Sequence, residues 1–177
     1  GNFHVVSVYL DLLQANSKKN RQKLIAMGLE KNQKLHKYST RALKKLIVER
    51  AHKKSQWARE QIWALASIYK KNQIDLETLQ GSFAGAFGLP QFLPVSYIAY
   101  AKSSEKKGVP DLYRPSDAIM SVAYYLKRHG WKISRTSSKM KSLMNYNNSE
   151  DYADSILEIS RQADSRSLEK NRGLSSQ

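Results

Sequence analysis

The 177-residue chain contains no cysteine, so neither a disulfide nor a thiolate metal site can form. That absence suits the cytoplasm and a bacterial periplasm equally. Glycine (8) and proline (4) are scarce, which disfavours a turn-rich β fold and favours helices. No apolar run approaches the ~18 residues that would span a bilayer, and no signal-peptide pattern is visible. Gly1 opens directly on an apolar helical pattern, as in a trimmed or processed product. Several chemical signatures are also missing, namely a phosphate loop, a His/Glu metal pair and a Gly-x-Ser-x-Gly elbow. His4, His36, His52 and His129 lie far apart on helical patterns and read as ordinary surface or core histidines.

Acidic residues are few. Fifteen Asp and Glu face thirty Lys and Arg, for a net charge of +15, a balance that suits a polyanionic partner such as nucleic acid, anionic lipid or bacterial cell wall. The excess is concentrated. Residues 17–54 hold thirteen Lys and Arg against Glu30 and Glu49, a local net of +11. A Lys-rich solvated helix surface explains this stretch, and so does a site for an anionic polymer.

Apolar spacing predicts an all-α fold. A buried helix is expected over 4–15, one or two amphipathic helices over 17–54, and a helix over 55–71. Asp75 can cap a short helix through Gln80, and residues 96–102 are a further helix. Another starts at Pro115, turns Ile119, Val122, Ala123 and Leu126 inward and ends at Gly130. The last begins at Ser149–Asp151 and buries Tyr152, Ile156, Ile159 and Ala163, with a polar tail over 164–177. One segment, Gly81 to Pro94, differs in kind. It interleaves small residues with aromatics and two prolines. Small residues let backbone approach a ligand closely, while Gln91 and the aromatics supply contacts. A tight turn between helices explains the same pattern.

GSFAGAFGLPQFLPVSY (81–97) resembles the hallmark of the membrane-bound lytic transglycosylase B family, glycoside hydrolase family 103. Blocks at 1–13, 53–65, 111–131 and 145–160 resemble others of that family in the same order. The resemblance implies a lysozyme-like, goose-type or SLT-like helical domain over 1–163, with 17–52 as a basic insertion. It implies a cell-wall enzyme of the bacterial periplasm or envelope acting on peptidoglycan glycan strands, without cofactor. Such enzymes cut the MurNAc-β-1,4-GlcNAc bond without water. The muramyl 6-hydroxyl attacks its own anomeric carbon and leaves 1,6-anhydroMurNAc. Glycosidases commonly pair two carboxylates, but a tethered nucleophile lets one acid suffice.

Carried over residue by residue, Ser82 matches the hallmark serine, placed to bond an acetamido group. Gln91 and Phe92 match a groove-lining pair, and the carbonyls of 84–86 face the cationic sugar. Tyr146, Asn147 and Tyr152 match the late block beside the carboxylate. Each has a plainer reading as well: Ser82 as a turn cap, Phe92 as core, Tyr152 as a helix's apolar face. The family's paired arginines are Lys53 and Lys54 here, which keep the charge and lose bidentate recognition.

Two departures matter. The family's catalytic Glu precedes a helix start that Gly1–Val5 matches. The acid is therefore expected upstream of Gly1, in a longer protein or on a separate N-terminal fragment, and the chain alone is then inactive. A glycan-binding relative without the acid is the alternative. Glu30 has a partly similar setting but lacks the following aromatic–Gly pair, and reads as a surface residue. The family's calcium loop has Ser103 and Lys107 where acids would be needed, so no metal is expected. No recognition-helix motif supports nucleic acid as a partner. A membrane anchor, if present, lies outside the chain.

Overall fold

The computed structural model describes residues 1–71, 74–105 and 108–174, with side chains through 165. Lys107 therefore lies outside the described residues. The fold class is all-α, as expected. A two-residue strand β1 (Phe3–His4) leads into α1 (Val5–Leu13), a 3-10 turn, α2 (Lys18–Leu35) and α3 (Thr40–Lys70). Strand β2 (Gln80–Gly81) pairs antiparallel with β1, Phe3 opposite Gly81 and His4 opposite Gln80. Helices α4 (Pro94–Tyr100), α5 (Pro115–Arg128), α6 (Thr136–Tyr146) and α7 (Glu150–Leu174) complete the order. The chain forms two compact units, Gly1–Ser121 and Val122–Gln177.

In the first unit, short polar side chains start the helices. Ser17 Oγ accepts from Asn20 N, Ser39 Oγ from Ala42 N and His4 Nδ1 from Ser7 N. The basic stretch is thus the helical pair α2 and the first half of α3. The α3 face that turns inward is built of small residues, Ala51, Ser55, Ala58 and Ala64, ahead of Leu65 and Ile68. Small side chains let α1 pack closely, and Ser55 Oγ donates to the Leu13 carbonyl at 2.7 Å, satisfying a helix-end acceptor. Only Val5 and Tyr9 of α1 are buried, and Leu10 is half exposed, so the helix is buried along one stripe rather than all round. Gln61, 1% exposed, accepts from Val95 N and so caps α4, whose own N-cap position is Leu93.

Two local expectations are corrected here. Residues 75–80 are not helical. The Asp75 carboxylate accepts from Glu77 N and Thr78 Oγ1, closing a turn, and Gln80 goes to the strand pair. The inward face of α5 in this unit is Asp117, Ala118 and Ser121, whereas Ile119 is 68% exposed. The helix is phased by polar anchors: Asp117 and Ser121 hold the loop ahead of it, and an apolar count alone misses that.

In the second unit, Leu143, Ala153 and Leu157 form a core against Leu126, Trp131, Met140, Met144, Tyr152 and Ile156. Gly130 ends α5 as expected, with Trp131 N bonded to the Leu126 carbonyl. Buried Ser142 donates to the His129 carbonyl at 3.0 Å. The face of α7 is turned by one position from that expected, because Ala153 and Leu157 are buried while Ile159 is 61% exposed and Ala163 is exposed. The helix also continues to Leu174 where a polar tail was expected. Residues 164–174 contain no proline, and adding turns to an existing helix is far easier than starting one.

Candidate active site

The segment after β2 is a chain of tight internal bonds. Ser82 N donates to the Ala86 carbonyl at 2.7 Å and Gly85 N to the Ser82 carbonyl at 2.8 Å. Ser82 Oγ accepts from both Ala84 N and Ala86 N, at 3.3 and 3.2 Å. Ser82 is therefore a turn cap, and the hydroxyl keeps its own proton to donate, because accepting two N–H bonds uses only lone pairs. Phe87 and Phe92 exchange two backbone bonds, which closes the second half of the bend.

Gly85 leaves no room for a side chain. Its φ is +79°, and a Cβ there would lie 2.4 Å from the Tyr9 ring. The ring itself is wholly buried, stacks edge-on against Trp57 at 5.5 Å, and its hydroxyl donates to the Gly85 carbonyl at 2.9 Å. Burial raises the Tyr9 pKa well above the usual phenol value. Lys54 Nζ stands over the other participant, Trp57, 4.1 Å from the ring centre. On the far side Tyr97 packs against Phe87 and donates to the Pro110 carbonyl at 2.8 Å, with its pKa pushed up to about 12, chiefly by burial. Tyr113 donates to the Gln80 carbonyl at 2.8 Å.

Of the expected site residues in this unit, Ser82 is half-buried and Gln91 exposed. Gln91 sits at φ +51°, a costly value for a side-chain-bearing residue, and its amide nitrogen donates to the Gly88 carbonyl at 2.8 Å. The amide oxygen is left as an acceptor. Phe92 is 3% exposed and faces the core, so its contribution is to hold the bend. Of the three carbonyls over 84–86, those of Gly85 and Ala86 accept from Tyr9 and Ser82, leaving that of Ala84. Phe83, at 79% exposed, presents an aromatic face beside Ser82.

The second unit holds the late-block residues. Tyr146 ends α6, packs edge-on against Tyr125 at 5.2 Å, and has its pKa pushed up to about 12 by burial, with the neighbouring phenols of Tyr152 and Tyr125 adding to it. Asn147 is exposed at the helix end, and Ser149 Oγ accepts from Tyr152 N to start α7. The structure therefore gathers Ser82, Gln91 and Phe92 on one bend, and Tyr146, Asn147 and Tyr152 at one corner of α6 and α7.

Sequence reasoning missed Tyr9, Tyr113, Gln61 and Asp117. Asp117 is a buried carboxylate that accepts from Ser104 Oγ at 2.6 Å, Ser104 N at 2.8 Å and Asp111 N at 2.9 Å. Those bonds, the Ser104 hydroxyl first, lower its pKa to about 2. Asp75 is also lowered, by Thr78 and the Glu77 backbone. Neither carboxyl therefore has the raised pKa of a proton-donating acid. An Asp followed closely by a helix-phasing Ser, Asp117–Ser121, was the available signal. Glu30 is an exposed residue of α2.

The Escherichia coli (strain K12) membrane-bound lytic murein transglycosylase B is 50% identical to this chain over 62 residues, covering 35% of the chain and 17% of that protein. The chain thus spans less than a fifth of that curated relative. Two solved structures of the E. coli lytic transglycosylase SLT35, one in complex with bulgecin A and one with calcium, are 39% identical, cover 45% of this chain and 26% of theirs, and have a TM-score of 0.43. The model of the transglycosylase SLT domain family matches residues 26–140, a span that includes the glycine-studded bend and most of the basic stretch. By that match, the chain belongs to the transglycosylase SLT domain family.

Proposed function

We propose that this chain is part of a peptidoglycan lytic transglycosylase, which cleaves the MurNAc-β-1,4-GlcNAc bond and leaves 1,6-anhydroMurNAc. The observation that carries the reading is the bend itself. Its backbone is held internally by Tyr9, Ser82 and the Phe87–Phe92 pair, while Ser82 is only partly buried and Gln91 is exposed. A rigid wall with few fixed polar groups is what orients a sugar without rearranging during reaction.

In this reading Ser82 Oγ–H donates to an acetamido carbonyl and Gln91 Oε1 accepts from a sugar hydroxyl. The Ala84 carbonyl faces the positive charge that develops at the anomeric carbon. Within the second unit, Tyr146, Asn147 and Tyr152 form a glycan-contacting corner of their own, and Phe92 acts from beneath the wall of the bend. An acid of raised pKa protonates the leaving oxygen and then, as base, takes the proton of the attacking 6-hydroxyl. Residues 1–163 are the catalytic-type helical domain, and the enzyme works at the bacterial cell envelope or in the periplasm.

A second reading, a glycan-binding relative that does not cleave, is favoured by the two downward-shifted carboxyls. Incubating the full protein with purified sacculi separates the two. Release of 1,6-anhydromuropeptides, seen by mass spectrometry, is the expected result. Retention on sacculi without any release sinks the enzyme reading in favour of binding.

A further inference from the structure

We infer that the hairpin of α2 and α3 is a docking groove for an acidic amphipathic helix of a partner protein. The inference is independent of the glycan reading. A groove of about 680 Å³ runs along the pair, floored by Leu12, Leu24, Leu35, Leu43 and Ile47. Its rim carries Lys31, Lys37, Arg50 and Lys54, and no acidic residue lines it. Among the described residues, none of these four cations pairs with a carboxylate. They stand in the stretch whose local net charge is +11.

Three features select a helix as the occupant. First, α2 is unfinished as a packing element. None of its 18 residues is buried, and Leu24 and Leu35 are 40% and 61% exposed. A helix whose apolar side chains all reach solvent lacks a partner on that side. Second, the hairpin is firmly set, so the groove is preformed. Asn32 Oδ1 accepts from Lys37 N and Tyr38 N, Asn32 Nδ2 donates to the Tyr38 carbonyl, and a Cβ at Gly28 would strike Ile47 Cδ1 at 2.5 Å. Third, the lining runs from Leu24 to Leu35 on one helix and from Leu43 to Lys54 on the other. At 1.5 Å per residue that is about 16 Å, or three helical turns. A third helix laid there completes a three-helix bundle, its apolar stripe on the leucines and its acidic flanks on the rim.

The test uses the whole chain and a synthetic helix of about twelve residues, with leucines at helical spacing and glutamates on both flanks. A twin peptide has lysines on the flanks. Fluorescence anisotropy is expected to show binding of the glutamate peptide alone, weakening as salt rises. The double variant K31E/R50E should lose about tenfold in affinity through two reversed rim charges. Leu35→Glu, at an exposed position, should lose binding while keeping the native circular dichroism. Equal binding of the lysine peptide, unchanged binding by the variants, or binding only to phosphatidylglycerol vesicles overturns the inference.

Discussion

Tyr9 donates its hydroxyl proton to the carbonyl of Gly85 from 76 residues away, inside the first unit, at 2.9 Å. The bond joins the first helix to the centre of the glycine-studded bend. Tyr9→Phe removes it and leaves a buried carbonyl unpaired, at a cost of ~1–3 kcal/mol. The melting temperature should fall by several degrees, roughly 2–4 °C per kcal/mol in a chain of this size. Gly85→Ala should cost more, since its Cβ meets the ring and its φ is positive. A Tyr9→Phe protein as stable as the parent would show that the bond contributes nothing net.

Gln91 carries backbone strain, and in the proposed function its amide also holds a sugar hydroxyl. Gln91→Gly relaxes the strained φ, so stability should hold or rise by up to ~1 kcal/mol. Release of anhydromuropeptides should nevertheless fall about tenfold or more, because a fixed hydrogen-bonding group is lost. Gln91→Ala should show the same loss with a small drop in stability. Thermal melts and turnover measured side by side check this, and unchanged turnover in both variants removes Gln91 from the site.

Asp117 fastens the loop before α5 through Ser104 and Asp111. Its pKa is lowered from 3.8 to about 2, so the folded state favours the carboxylate. The stabilisation it gives is complete above the unfolded value near 3.8 and is lost as pH falls toward 2. Following the Ser104 and Asp111 amide resonances by NMR through that window should reveal a single low transition. Asp117→Asn should abolish it and loosen the loop at neutral pH. A transition centred at the ordinary aspartate value contradicts the bonding described.

Tyr146 titrates at the other end of the scale, near 12. Its phenol is raised on folding, so the contribution to the second unit is complete below about 10 and fades as pH climbs toward 12. Ultraviolet difference spectra taken through that range should lose one tyrosine's amplitude from the late step in Tyr146→Phe. An amplitude lost near 10 instead places the phenol in open solvent.

Helix positions were legible because they rest on local spacing and caps. Pro115 starts a helix where the sequence says it should and Gly130 stops one, whereas the helix expected to begin at residue 55 is the second half of a continuous α3 that starts at Thr40. The bend over 81–94 was also legible, since small residues and prolines leave few other structures for it. What sequence concealed was long-range and polar. Asp117 and Ser121 phase α5 by bonds to a preceding loop, which apolar counting placed one face away. Phe92 turns inward because its backbone pairs with Phe87. Tyr9 reads as one more apolar helix residue until Gly85 stands beside it.

The amide of Gln61 touches the first turn of α4 from within α3. That makes α3 a keyed shaft rather than a greased one. Leucines alone tolerate a slide or a few degrees of roll, but an amide that must meet one particular N–H does not. The outward bearing of every other α3 side chain, Trp63 at 69% exposure among them, is therefore indexed from the inside.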